Sequence, residues 1–340
     1  MQYNMADTTE ESSGHQEAGL EAPMPPKQSD TPTPSNIVRL NGLNFPWMVT
    51  QESLDTLRAY DVWDDDVWVA SYPKSGTHWV VEIANLIFAN GNVDEINRAQ
   101  QSIPVEFELS QPGRPKRPMM SPIPQYKAMT EWKAPRVIMT HLPEEMMPSQ
   151  IYQGKGKVIY VIRNPKDTTV SSWKFIQPYL LHPRYHEWDF FVKESFTEDI
   201  IYGSWFSRVL DFWNKHQHDK NFLFLKYEDM KKDRKGAVIQ IADFLGKRLS
   251  DEEIDRVTEL SSLESMKQRF SSSKPDGSAP PSDNSKAPSA ENKPKLLGAP
   301  SVIRKGVVGD WKSYFTVAQS EEVDALYKEK MAGSSLTVEF

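Results

Sequence analysis

Four short runs along the chain are apolar at nearly every position: Val67-Trp68-Val69-Ala70-Ser71-Tyr72, Arg136-Val137-Ile138-Met139-Thr140, Lys157-Val158-Ile159-Tyr160-Val161-Ile162 and Phe222-Leu223-Phe224-Leu225-Lys226-Tyr227. Runs of this length without polar alternation predict strands covered on both faces. The period changes after the first and third. From Thr77 to about Asn90, Trp79, Val80, Ile83, Leu86 and Ile87 recur at helical spacing, and a second helix is predicted from Pro165 to about Phe175. Amphipathic stretches near 200–216, 234–245 and 251–260 supply further helices. Strand, turn and helix in alternation predict an α/β fold, a single domain whose central parallel sheet is flanked by helices. Ligands in such folds sit at the carboxyl ends of strands, so the strand-to-helix turns are where chemistry is expected.

Two segments stand outside this pattern. Residues 1–37 are rich in Glu, Ser, Thr, Gln and Pro, too poor in apolar area to offset the ~1–2 kcal/mol per residue lost on ordering a backbone. A disordered tail is expected there, with the folded domain spanning 38–340. Residues 271–300 are dominated by Ser and Pro without an aromatic, and read as a low-complexity loop inside that domain. The chain has no cysteine, which excludes a disulfide scaffold, a Cys-ligated zinc module and a thiol nucleophile. Its N-terminus is acidic and Pro-rich, and no apolar run could span a bilayer, so a cytoplasmic protein without membrane partners is expected. A formal charge of −7 is a poor basis for nucleic-acid binding, although one locally basic pocket is compatible with it.

Three turns carry such local charge. In Ser71-Tyr72-Pro73-Lys74-Ser75-Gly76-Thr77-His78-Trp79 a buried strand gives way to a helix through a loop bearing Lys, Ser, Gly and Thr. Free N–H groups at the helix start, an ammonium and two hydroxyls would converge on an anion. The Gly and Lys order is not that of a nucleotide triphosphatase loop, so the turn is only P-loop-like. An ordinary turn with a solvated Lys74 and a capping Thr77 explains the same residues. In the second turn a strand delivers Arg163, Pro165 takes a first helical position, and Ser171 lies about two turns further on. An arginine fork and a hydroxyl suit a phosphate; a surface pair between Arg163 and Asp167 is the alternative. The third turn, Arg304-Lys305-Gly306-Val307-Val308-Gly309-Asp310-Trp311-Lys312, combines two cations with two glycines, and either approaches an anion closely or is a solvated basic loop.

Taken together with Lys226-Tyr227-Glu228-Asp229-Met230, these turns resemble the ordered signatures of cytosolic sulfotransferases, from about residue 38 to the C-terminus. The resemblance implies transfer of a sulfuryl group from 3′-phosphoadenosine 5′-phosphosulfate (PAPS) to a hydroxyl of a small, largely apolar acceptor such as a phenol, sterol or other alcohol, without a metal. It implies that Lys74, Ser75, Gly76, Thr77 and His78 hold the phosphosulfate and that Trp79 stacks near the adenine. Arg163, Ser171, Arg304, Lys305 and Gly306 would take the 3′-phosphate, with Tyr227, Ser261, Leu263 and Met266 along the nucleotide. In Thr140-His141-Leu142-Pro143 the histidine corresponds to the family's general base, so that His141, Lys74 and Ser171 form the catalytic group; neutral imidazole suits proton abstraction near pH 7.

On the acceptor side Val105, Phe107, Phe175 and Tyr179 are candidates for an apolar pocket, although core packing explains each as well. Phenol- and estrogen-type members carry Lys where this chain has Met139, whereas hydroxysteroid-type members also lack it. An alternative motivated by Met139 is a PAPS- or PAP-binding protein with little or no turnover. A P-loop kinase, a third possibility, would bind ATP with magnesium. Lys312, Thr316, Val317 and Glu321 match the family's Lys-x-x-x-Thr-Val-x-x-x-Glu pattern and imply a homodimer with a small interface.

Overall fold

The computed structural model describes residues 36–96, 103–109, 111, 123–177, 181–272 and 304–340. It opens on an antiparallel hairpin, β1 (Ile37–Leu40) with β2 (Leu43–Pro46). Ile37 pairs with Pro46, so the domain begins one residue before the expected boundary; residues 1–35 of the expected tail lie outside the described residues. The main sheet is parallel and built from β3 (Val67–Ser71), β4 (Val137–Thr140), β5 (Lys157–Ile162) and β6 (Phe222–Lys226), in the order β4-β3-β5-β6. The four apolar runs thus form the four strands, trimmed only at their ends.

Alternate residues of each run enter different layers, which is why no polar alternation is visible in the sequence. Trp68, Ala70, Ile138, Val158, Tyr160 and Ile162 pack with Phe45 of the hairpin and with Trp205, Val209 and Phe212 of the helix Trp205–His216. Val67, Val69, Val137, Met139, Ile159 and Val161 face the other way, against Val80, Ile83 and Ile87 of the helix Thr77–Phe88 and Val238 and Ile241 of the helix Arg234–Leu245. The helix Asp251–Leu260 adds Val257 to this second layer. The Ser/Pro stretch also begins later than expected: residues 271 and 272 continue the helix Leu263–Ser272, and 273–300 lie outside the described residues.

From β3 the chain moves to β4 on one side and returns to β5 on the other. The carboxyl ends of β3 and β5 therefore flank the reversal of strand order, the place where open α/β sheets bind ligands. At the amino ends of β3 and β4, Arg136 and Asp66 are wholly buried and paired bidentately at 2.6 Å. Arg136 also donates to the Tyr60 hydroxyl at 2.8 Å and to the Met129 carbonyl at 3.2 Å, which satisfies a charge that would otherwise be costly to bury. Among the described residues no helix is long and apolar enough to cross a membrane.

Candidate active site

The first turn leaves β3 at Ser71 and enters the helix Thr77–Phe88 through Gly76 at φ +110°. A side chain there would also collide with Tyr227, whose ring would lie 2.8 Å from a Cβ. Glycine is thus required twice, by the backbone and by the ring pressed against it. Lys74 holds φ +72°, uncommon for a residue with a side chain and a mark of local strain. Its Nζ lies 3.8 Å from the centre of the Phe175 ring. Burial, reinforced by Arg163 and Arg304, pulls its pKa down to about 7. The Ser71 and Thr77 hydroxyls are 2.6 Å apart, while the Ser75 hydroxyl is buried without a partner.

Arg163 joins all three turns. Its Nη1 donates to the Lys74 carbonyl at 3.3 Å and its Nη2 to the Val307 carbonyl at 3.0 Å, and the guanidinium lies 4.5 Å over the Tyr227 ring. Arg163 and Asp167 are 3.8 Å apart but both buried, so the surface-pair alternative does not hold. Asp167 instead organises the third turn, accepting from Gly309 N–H at 2.8 Å and Trp311 N–H at 3.0 Å. Glu228, in the short helix Tyr227–Lys232 that follows β6, accepts from the backbone and side-chain nitrogens of Asn164 at 2.9 Å, and Asn164 caps the helix Pro165–Ile176. Arg304 and Lys305 each approach Asp310 at 2.7 Å. Gly306, at φ +65°, brings its backbone against Leu263, where a Cβ would lie 2.8 Å from the leucine side chain.

These turns line one cavity of about 430 Å³. Three of its arginines, Arg163, Arg234 and Arg304, have a buried Nε donor without a partner, and the Ser75 hydroxyl lies between two further lining residues. Lys74, Arg163, Lys231, Arg234, Arg304 and Lys305 all line the cavity, and six cations gathered there call for an anion to balance them. A nucleotide carrying several phosphate-type groups fits that donor set.

Beside the first turn, His141 follows β4. Its backbone N–H donates to Glu106 at 3.0 Å, and its Nδ1 lies 3.0 Å from the Ser71 carbonyl. A carbonyl only accepts, so Nδ1 carries the proton and Nε2 keeps its lone pair. Burial pushes the imidazole pKa down to about 4; the Ser71 bond opposes this and the Lys74 charge adds to it. Glu106 also accepts from the Thr140 hydroxyl at 2.9 Å and the Tyr202 hydroxyl at 3.2 Å, and burial raises its carboxyl to about 7. The walls here are apolar and include Met48, Phe107, Leu109, Phe175 and Ile200.

Most of the expected site residues meet around this cavity: Lys74, Gly76, Thr77, His78, Trp79, His141, Arg163, Ser171, Tyr227, Leu263, Met266, Arg304, Lys305 and Gly306 line it, as do Phe107 and Phe175. Ser75, Ser261 and Val105 do not. The Ser261 hydroxyl donates to the Thr258 carbonyl at 3.2 Å, and its own carbonyl accepts from Trp79 Nε1 at 2.8 Å, so it orients the indole. Val105 is buried in the core, its N–H donating to the Met139 carbonyl at 2.8 Å. Tyr179 lies outside the described residues. Lys312, Thr316, Val317 and Glu321 are away from the cavity; Thr316 caps the helix Val317–Lys330 and Val317 is 75% exposed. Lys231 and Arg234 line the cavity without having been anticipated, although the basic run directly after Tyr227 was a signal. Glu106 was signalled only by being, with Glu108, a charge in an otherwise apolar stretch.

A parallel α/β domain in which cationic turns, a neutral histidine and apolar walls share one cavity has the form of a nucleotide-dependent group transferase. The family model described as "Sulfotransferase domain" matches residues 64–335, and the chain belongs to that family. Bovine sulfotransferase 1A1 is 36% identical over 287 residues, covering 84% of this chain and 90% of the relative. The 3-beta-hydroxysteroid sulfotransferase of Cavia porcellus is 37% identical over 300 residues, covering 88% and 95%. The crystal structure of mouse sulfotransferase SULT7A1 complexed with PAP superposes with a TM-score of 0.66 at 32% identity, over 88% of this chain and 97% of that one.

Proposed function

We propose that the chain transfers the sulfuryl group of PAPS to the hydroxyl of a small, largely apolar acceptor. The observation that carries this reading is one cavity lined both by Lys74, Arg163, Arg304 and Lys305 and by a histidine kept neutral with Nε2 available. When bound, PAPS supplies the activated sulfuryl group. The turn from Lys74 to Thr77, with His78, holds the phosphosulfate end; Trp79, Tyr227, Leu263 and Met266 take the adenine; Arg163, Ser171, Arg304, Lys305 and Gly306 take the 3′-phosphate. His141 Nε2 accepts the hydroxyl proton as the acceptor oxygen bonds to sulfur. Lys74 offsets the charge gathering on the phosphate oxygen as its bond to sulfur breaks, an electrostatic role suited to a site enclosed by apolar walls. Ser171, on the same wall, helps to fix the nucleotide for in-line attack.

Met139 lends no support to a protein that only binds the nucleotide, because its side chain packs in the layer under the helix Thr77–Phe88 and not against the cavity. We further read the first turn as P-loop-like and the chain as cytoplasmic, which its freedom from cysteine suits. We also read it as a homodimer through Lys312, Thr316, Val317 and Glu321; the exposure of Val317 supports that, and sedimentation as a monomer at all concentrations would remove it. The function is tested with labelled PAPS and a panel of phenols, sterols and alcohols. Transfer to at least one acceptor is expected, and His141→Ala should lower kcat by ~10²–10⁴ while leaving affinity for adenosine 3′,5′-bisphosphate unchanged. No transfer to any acceptor, or a fully active His141→Ala chain, refutes it.

A further inference from the structure

The third turn holds a carboxylate for which the reaction has no direct use. Asp310 is 7% exposed; it accepts from Lys305 Nζ at 2.7 Å, and its second oxygen lies 2.7 Å from Arg304 Nη2. The Arg304 contact is close but off the hydrogen-bond axis, and Arg304 Nε has no partner. Arg304, Lys305 and Gly306 line the cavity, whereas Asp310 does not. The carboxylate therefore stands behind the two cations, on the protein side, and leaves free the space that an incoming phosphate needs. Burial alone would raise its pKa, but Lys305 and Arg304 hold it below the ordinary range, so it remains an anion at neutral pH.

The turn does not depend on Asp310 for its backbone. Asp167 takes the Gly309 and Trp311 N–H groups, and Arg163 takes the Val307 carbonyl. What Asp310 adds is the fixed direction of two long, rotamer-rich side chains. We propose that Asp310 is a positioning residue for the 3′-phosphate subsite, orienting Arg304 and Lys305 before the nucleotide arrives. Ordering those side chains then takes place on folding instead of on binding, the general advantage of preorganisation. This inference rests on the assignment of that subsite to the 3′-phosphate.

Removing the carboxylate has two opposed effects, and the choice of ligand separates them. Loss of a negative charge raises the potential for any nucleotide anion, whereas loss of orientation harms only a ligand that uses Arg304 and Lys305. The informative quantity is the ratio of Kd for adenosine 5′-monophosphate to Kd for adenosine 3′,5′-bisphosphate, measured by calorimetry on the full chain. Asp310→Asn should lower that ratio roughly tenfold, the size typical of losing a group that orients a ligand's direct contacts. Asp310→Glu, which keeps the charge but displaces it by a methylene, should give an intermediate fall, and carries the test if Asp310→Asn fails to melt cooperatively. A ratio unchanged or raised in whichever variant folds overturns the proposal. Failure of the underlying reading looks different: the unsubstituted chain itself would then bind both nucleotides alike.

Discussion

Lys74 should make nucleotide binding depend on pH in a range where simple lysines do not titrate. Its pKa of about 7 in the free protein arises because burial and the Arg163 and Arg304 charges disfavour a further cation. A bound anion reverses that balance and holds the proton on. About half of the free chains carry the charge at pH 7, and about one in thirty at pH 8.5. If the bound form stays charged throughout, Kd for adenosine 3′,5′-bisphosphate should rise about 15-fold between pH 7 and 8.5. The ligand's own 3′-phosphate loses its second proton near pH ~6, so its titration acts mainly below this window and with the opposite sign. Calorimetry at pH 8.5 in two buffers of different ionisation enthalpy should show uptake of close to one proton. The same group moves fold stability the other way. Its folded pKa lies below the unfolded value of 10.5, so the unfolded chain binds more protons and this contribution to stability rises from pH 7 upward. Constant Kd across the window without proton uptake, or an identical slope in Lys74→Met, would refute the reasoning.

Two further consequences concern charge and support. Arg163→Ala should weaken adenosine 3′,5′-bisphosphate far more than adenosine 5′-monophosphate, and Arg163→Lys should lose nearly as much; equal losses for both ligands in a calorimetric comparison would contradict the 3′-phosphate assignment. Asp66→Asn leaves Arg136 buried beside no carboxylate and should cost ~3–5 kcal/mol in urea unfolding, whereas a loss within ~1 kcal/mol would mean that Tyr60 and the Met129 carbonyl suffice.

The sheet and its two following helices were legible because burial on both faces leaves continuous apolar runs, and because Gly76 and Pro165 punctuate the turns after β3 and β5. The hairpin of β1 and β2 escaped notice, since two four-residue strands hold too few positions for a period to emerge. The helix Val317–Lys330 was also missed: Val323 is its one buried position, so it shows no apolar stripe. Cationic site residues could be named from their place after strands. The long-range ties by which Asp167 and Glu228 hold the turns could not, because Asp167 meets Gly309 across 142 positions and Glu228 meets Asn164 across 64. Sequence pattern carries local periodicity, and pairings over such separations exist only once the sheet has brought the strand ends together. Ser261 and Val105 show the same limit from the other side: each stands within a motif at the cavity, but its hydrogen bonds tie it to a helix end or to strand β4.

Those carboxylates also explain how a chain of formal charge −7 can concentrate cations at one place. Lys74, Arg163, Arg304 and Lys305 would repel one another if each stood alone in a partly desolvated wall. Asp310 offsets two of them, Asp167 lies beside Arg163, and Lys74 responds by lowering its own pKa. What remains for a ligand is therefore less a large net positive potential than a set of cations held in fixed directions by these partners. Directed donors discriminate by geometry, whereas bulk charge attracts any anion and is weakened by salt. Lysine at position 163 would keep the charge but surrender the simultaneous ties to the Lys74 and Val307 carbonyls that join the three turns. On the proposed assignment, selectivity for a 3′-phosphate would reside in the same guanidinium that ties the three turns together.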